Sequence, residues 1–305
     1  MRGAWSGLAA VLLWGLAPVT LKSLAPALPG LLASTAIYAV ATVATLPWLW
    51  AARRHARAPW QTWLQVVAIG VMLTSAFTLL VSLAAPGVRG TTIGAIVALE
   101  PLMVALISAG LARRWPGRTT LGALALSLAG AWLLIAPAGP GAGGGAADAP
   151  WAIALVLLGA GLWSTAVVLA TRLQTPWPPL KASMVMICCG SLPFVAVAPL
   201  LLPAWTDARW SAGIAGGVLF MALGATVLAN ALWLRALRAI GPVATTLLIN
   251  LVPLTTVSLS VLWLGEPWGL RQLGGAALVL LGLSLGPLLR AWQRPHPPSP
   301  TLPRP

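Results

Sequence analysis

Residues 90–137 and residues 242–289 carry the same pattern. At an offset of 152 residues, with no gap, Pro101 meets Pro253, Leu121 meets Leu273, Gly122 meets Gly274 and Gly130 meets Gly282. Ala84 and Ala236 extend the match backwards. Leu-Trp-Gly around Trp14 is answered by Leu-Trp-Ser around Trp163 at a similar offset of 149. The chain is therefore expected to consist of two tandem halves of about 150 residues, and the repeat constrains any fold assigned to it.

What each half can fold into follows from the scarcity of charge. Soluble proteins put roughly a quarter of their residues into charge; here 7% are charged and 59% are hydrophobic. A helix needs about 20 mostly apolar residues to cross the hydrocarbon core. Ten segments qualify, at roughly 4–22, 28–50, 63–85, 90–112, 119–137, 151–171, 182–203, 211–234, 242–264 and 270–289. The expected class is an all-α integral membrane protein with five spans per half. The first span begins like a signal peptide, with Arg2 before an apolar run. It belongs to the repeat, however, and its removal would leave its half one span short.

Residues 1–137 form the expected first repeat, 138–150 a Gly/Ala/Pro-rich linker, 151–290 the second repeat and 291–305 a basic, proline-rich tail. Linker and tail have the composition of segments that do not pack. Trp48, Trp50, Trp60, Trp63, Trp115, Trp151, Trp177, Trp205, Trp210, Trp268 and Trp292 lie near span ends, as in a headgroup-level aromatic belt. The adjacent Cys188 and Cys189 sit in an apolar run, which points to packing and to neither a disulfide framework nor a metal site.

The net charge of +14 does not indicate nucleic acid, because the basic residues stand singly or in threes between apolar runs. They describe topology instead. Fourteen of the 18 basic residues fall on one side of the expected spans, among them Arg53, Arg54 and Arg57, and Arg113, Arg114 and Arg118. Cytoplasmic loops are enriched in Lys and Arg, so both termini are expected in the cytoplasm. An odd span count inserts the second half upside down. Inverted repeats of this kind characterise secondary transporters, whose two halves enclose a site near the midplane.

Glu100 is the acid inside a span, directly before Pro101. An acid at such depth costs on the order of 2.5–3.5 kcal/mol to insert and tends to mark a proton or substrate path; the structural alternative is a protonated side chain bonded to a neighbouring helix. Pro101 and Pro253 each remove a backbone donor, freeing the carbonyls of Val97 and Ile249. Interruptions at corresponding positions point to a transport site, with a packing kink as the alternative. Asn250, Asn230 and Tyr38 are further polar groups at depth, and Trp14 and Trp163 stand too deep for a belt. The candidate substrate-binding set is thus Trp14, Tyr38, Glu100, Pro101, Trp163, Asn230, Asn250 and Pro253. Gly122, Gly130, Gly274, Gly282 and Gly286 are expected to bring helices together, within the protein or in a homodimer. An enzyme lacks its parts: His55 is in a loop, His296 is in the tail and Glu100 is alone, so no catalytic pair, metal site or cofactor is implied.

Leu264-Gly265-Glu266-Pro267, with Pro253 before it and Gly274 and Gly282 after it, resembles the EamA-type permeases of the drug/metabolite transporter superfamily. Leu-Trp-Gly at 13–15 and the repeat at 90–137 fit as well. The resemblance implies ten helices as two inverted five-helix repeats, a central cavity lined by the first four helices of each half, and peripheral fifth and tenth helices. It also implies a bacterial inner-membrane exporter of amino acids or other small metabolites. In place of a first-repeat Leu-Gly-Glu this chain has Ala112-Arg113-Arg114. Glu266 is expected to cap the tenth helix. The rival readings are a flippase for lipid or lipid-linked carriers and a non-transporting scaffold.

Overall fold

In an apolar medium the backbone must satisfy its own N–H and C=O groups, and helices do so within one segment. The computed structural model describes residues 2–24, 26–28, 31–55, 58–88, 90–113, 115–135, 149–206, 208–252, 254–255, 258 and 270–285. Among these residues the structure is helical, with no strand. The first half holds α1 (Arg2–Leu24), α2 (Leu31–His55), α3 (Trp60–Val71), α4 (Phe77–Ala84), α5 (Gly90–Ala98), α6 (Glu100–Ala112) and α7 (Arg118–Ile135). The second holds α8 (Pro150–Arg172), α9 (Pro179–Val197), α10 (Leu202–Thr206), α11 (Ala212–Leu219), α12 (Ala229–Ile240), α13 (Pro242–Leu247) and α14 (Leu270–Leu285).

Six helical runs among the described residues are long and apolar enough to cross a membrane: Gly3–Leu21, Leu31–Arg53, Trp60–Ala84, Pro150–Arg172, Pro179–Leu201 and Ala212–Ile240. They fall on the first three expected spans of each half. The segment expected as the fourth span is a broken helix. α5 stops at Ala98, Leu99 forms a turn, and α6 restarts at Glu100 with Pro101 in its first turn. Proline fits there because the first-turn N–H has no helical partner to lose. In the ninth span α13 gives way at the corresponding place to a 3-10 turn, Leu248–Asn250, just before Pro253. Pro253, Glu266, Trp268 and Trp292 lie outside the described residues.

Both third spans of the halves contain a π-helical segment. Met72–Ala76 joins α3 to α4, and Phe220–Leu228 joins α11 to α12. Such wide turns shift backbone carbonyls out of α register and often sit at functional sites.

The packing partners exchange when the two halves are exchanged. α1 packs on α12 and α8 on α4; α2 packs on the π segment of residues 220–228 and α9 on that of residues 72–76. The pairs α2 with α9 and α7 with α14 each join like-placed helices, while α6 packs on α13, the counterpart of α5 at the same offset. Basic side chains fasten two of these pairs to partner carbonyls near helix ends, where the negative pole of the helix favours a cation. Lys181 Nζ donates to Ala51 O at 3.0 Å, and Arg271 Nε donates to Leu133 O at 3.1 Å.

The glycine expectation divides in two. A Cβ on Gly130 would lie 2.6 Å from Gly275 O and Val279 N of α14, and one on Gly282 would strike Ser127 of α7. These repeat-related glycines are therefore the close approach of the pair. Gly122 and Gly274 face open space, so they are not part of this close approach; they lie about two turns away and roughly 80° around the same helices. Gly286 is outside the described residues. The tryptophan belt needs a similar correction. Trp48, Trp50, Trp60, Trp115, Trp151 and Trp210 are exposed, but Trp177 is 5% exposed and packs edge-on against Trp63, ring centres 4.8 Å apart. An aromatic pair in this geometry adds about 0.5–1.5 kcal/mol beyond the area it buries. Cys188 and Cys189 are buried free thiols, as packing residues should be.

Candidate transport cavity

The break between α5 and α6, the 3-10 turn after α13 and the two π segments surround one cavity of about 520 Å³. That volume suits a small organic molecule. Trp14, Tyr38, Glu100, Trp163, Asn230 and Asn250 all line it. Sequence positions 236 residues apart are thus brought to one wall. Pro101 does not line the cavity; it is buried behind Glu100, where it sets the break.

Glu100 gains its position from that break. As the opening residue of α6 it stands in the first turn, where the positive pole of the helix favours a carboxylate, and it is 3% exposed. Among the described residues its carboxyl has no hydrogen-bond or ion-pair partner. The structural alternative, a buried acid bonded to a neighbouring helix, has no such bond to point to. Asn250, at the end of the matching 3-10 turn, is 2% exposed, and its Oδ1 is likewise without a partner. Leaving a buried acceptor unpaired costs about 1–3 kcal/mol, which falls on the enclosed Asn250 Oδ1, whereas the carboxyl of Glu100 borders the cavity.

The donors on the walls are differently placed. Trp14 Nε1 donates to Ala225 O at 2.9 Å, Tyr38 OH to Thr74 O at 3.0 Å, and Asn230 Nδ2 to Thr226 O at 2.7 Å. All three acceptors are backbone carbonyls of the π segments or their edges. Tyr38 also shares a 2.8 Å hydrogen bond with Thr78 and stacks on Phe194 at 4.6 Å. Behind the cavity Trp233 is buried, 5.0 Å from Trp14 and 6.2 Å from Trp163 between ring centres. A rigid aromatic floor is the result.

Sequence reasoning missed Thr74, Phe77, Thr78, Thr226 and Trp233. A signal for three of them was present: the 152-residue offset that pairs Pro101 with Pro253 also pairs Thr74 with Thr226 and Thr78 with Asn230. The structure gives these pairs one job. Thr78 Oγ1 returns to Thr74 O at 3.1 Å, as Asn230 Nδ2 returns to Thr226 O. Phe77 and Trp233 had no such marker, since an aromatic residue in an apolar span is ordinary.

Helices of spanning length around a cavity with an acid inside define a polytopic membrane protein with an internal binding chamber. The chain belongs to the EamA-like transporter family, whose model matches it twice, at residues 1–136 and 150–285. Members of that family are transporters. Over 129 residues the chain is 28% identical to the "Uncharacterized transporter YyaM" of Bacillus subtilis (strain 168); the match spans 42% of this chain and 42% of that relative's length. A solved structure described as "Crystal structure of protein" superposes with a TM-score of 0.75 at 19% identity, covering 96% of this chain and 99% of the other. At that identity the likeness concerns the fold.

Proposed function

We propose that this transporter is a secondary exporter of small metabolites, working by alternating access around the 520 Å³ cavity. In this reading each match to the family model is a five-helix repeat, the two are inverted in the membrane, and they rock about the cavity. The exchange of packing partners between halves supports that symmetry, and the paired breaks beside Pro101 and Pro253 support the site. Amino acids and related metabolites are the substrate class that the resemblance suggests. The observation that carries the proposal is the convergence on one cavity of six side chains separately selected for chemistry.

Glu100 is the proposed coupling residue, binding a cationic group of the substrate or carrying a proton. It is the one charged residue among the described residues that line the cavity. Glu100→Gln keeps its size and the hydrogen bonding of the protonated acid. In liposomes with an imposed pH gradient, at matched protein content, that variant is expected to lose most substrate flux and its pH dependence. Unchanged flux with unchanged pH dependence would reduce Glu100 to packing. The termini are placed in the cytoplasm on the charge of the loops; an active periplasmic reporter fused after Arg290 would reverse that orientation.

A further inference from the structure

We infer that a groove on the far side of the broken helix holds an acyl chain of an anionic phospholipid, with the lipid phosphate at Arg271. The groove has a volume of about 750 Å³ and lies between α5, α7 and α8. α7 forms its floor with Ala125, Leu128, Ala129 and Trp132, the i, i+3, i+4, i+7 spacing of one helix face. Another face of α7 is already used, since Gly130 closes on α14. Ala125 and Ala129 are small and exposed, and they make the recess between the larger Leu128 and Trp132. Thr92 is the one polar side chain among the described residues that line it. Water finds few partners in such a groove, and an empty one would leave its walls without contacts on one side.

The occupant follows from where the groove lies. α8, its third wall, belongs to a run long enough to cross a membrane, so hydrocarbon is the medium beside it. Thr92 near the start of α5, Leu133 near the end of α7 and Ile153 near the start of α8 share one end of the groove. Trp132, 55% exposed, stands at that end as an aromatic ring at head-group level does. Arg271, the second residue of α14, donates from Nε to Leu133 O at 3.1 Å, which sets a guanidinium at the same rim. A guanidinium matches phosphate with paired hydrogen bonds, and basic residues at a membrane surface favour anionic lipid. From Leu133 the floor runs down α7 to Ala125, about 12 Å at the helical rise, and a tail can lie along it. Ile96 and Leu99 of the same broken helix face the groove, while Val97 and Ala98 face the transport cavity. The lipid tail is thereby set against the back of the break that positions Glu100.

The test is native mass spectrometry of the purified full-length chain in detergent, offered phosphatidylglycerol and phosphatidylcholine with the same tails in equal amounts. The chain is expected to retain phosphatidylglycerol over phosphatidylcholine by about fivefold, the worth of a basic residue at an anionic surface. Ala125→Phe combined with Ala129→Phe fills the recess from its open side and should cut that retention by at least about tenfold, which the loss of about two buried methylenes would produce. Arg271→Gln should bring the two lipids to parity. Retention unchanged in the filled variant would place the lipid elsewhere and overturn the inference. Equal retention of both lipids by the unmodified chain, or a preference unchanged in Arg271→Gln, would overturn it at the head group. If a variant fails to fold, the unmodified chain decides in vesicles of phosphatidylglycerol that carries a diazirine at one tail end. Photoadducts concentrated at residues 96–99 and 125–129 would uphold the groove, and adducts spread evenly over exposed positions such as Leu64 and Leu158 would overturn it.

Discussion

The first half of the cavity wall carries the acid, and the second half carries the amides. At equal offsets the first half offers Thr78, Ala98 and Glu100 where the second offers Asn230, Asn250 and Val252. The frame around these positions is shared: each half has a π segment, a side chain returning to the carbonyl four residues earlier, and a helix broken near the same proline. Backbone devices are thus repeated while the chemistry is not. A duplicated frame can position two groups of different type at one cavity, because a helix break fixes where a side chain stands and leaves its identity open.

Moving the acid between halves would break or sharpen this comparison most. Glu100→Val is expected to cut flux by roughly 10- to 100-fold, the worth of a charge-assisted contact. Adding Val252→Glu to that variant should recover part of the loss, since Val252 lines the same cavity. No recovery by a well-folded double variant would mean that the two positions are not functionally equivalent. A smaller effect is expected at the paired helices. Gly130→Leu should lower thermal stability by about 1–3 kcal/mol through overpacking against α14, whereas Gly122→Leu should stay within about 0.5 kcal/mol. Equal losses at the two sites would contradict the facing of α7.

The smallest effect is expected where the halves differ in their helix ends. Arg113 closes α6 in the left-handed region, at φ 50°, and its N–H bonds back to Ala109 and Gly110 carbonyls. Glycine is the residue that occupies such an end without a Cβ penalty, and the second half has Gly265 in the corresponding Leu-Gly-Glu. Arg113→Gly should raise the melting temperature, by the equivalent of about 0.5–1 kcal/mol. A fall would show that the arginine side chain contributes more than its backbone costs.

The amino-acid sequence by itself determined the class, the tandem pattern and the places where helices break. Those features are local. Twenty apolar residues span a bilayer whatever surrounds them, and a proline denies its partner carbonyl a bond in any context. Glu100 before Pro101 and Asn250 before Pro253 were legible for that reason. Which way each helix faces was decided by the tertiary structure. In a span that is apolar all round no amphipathic stripe marks the inner face, so Gly122 and Gly130 look alike in the sequence until α14 covers one of them. The same holds for Trp177, taken for an interfacial anchor until Trp63 is set against it, and for Trp233, hidden behind Trp14 and Trp163. The unpaired state of the two acceptors is tertiary as well, because it depends on which donors the neighbouring helices had already claimed.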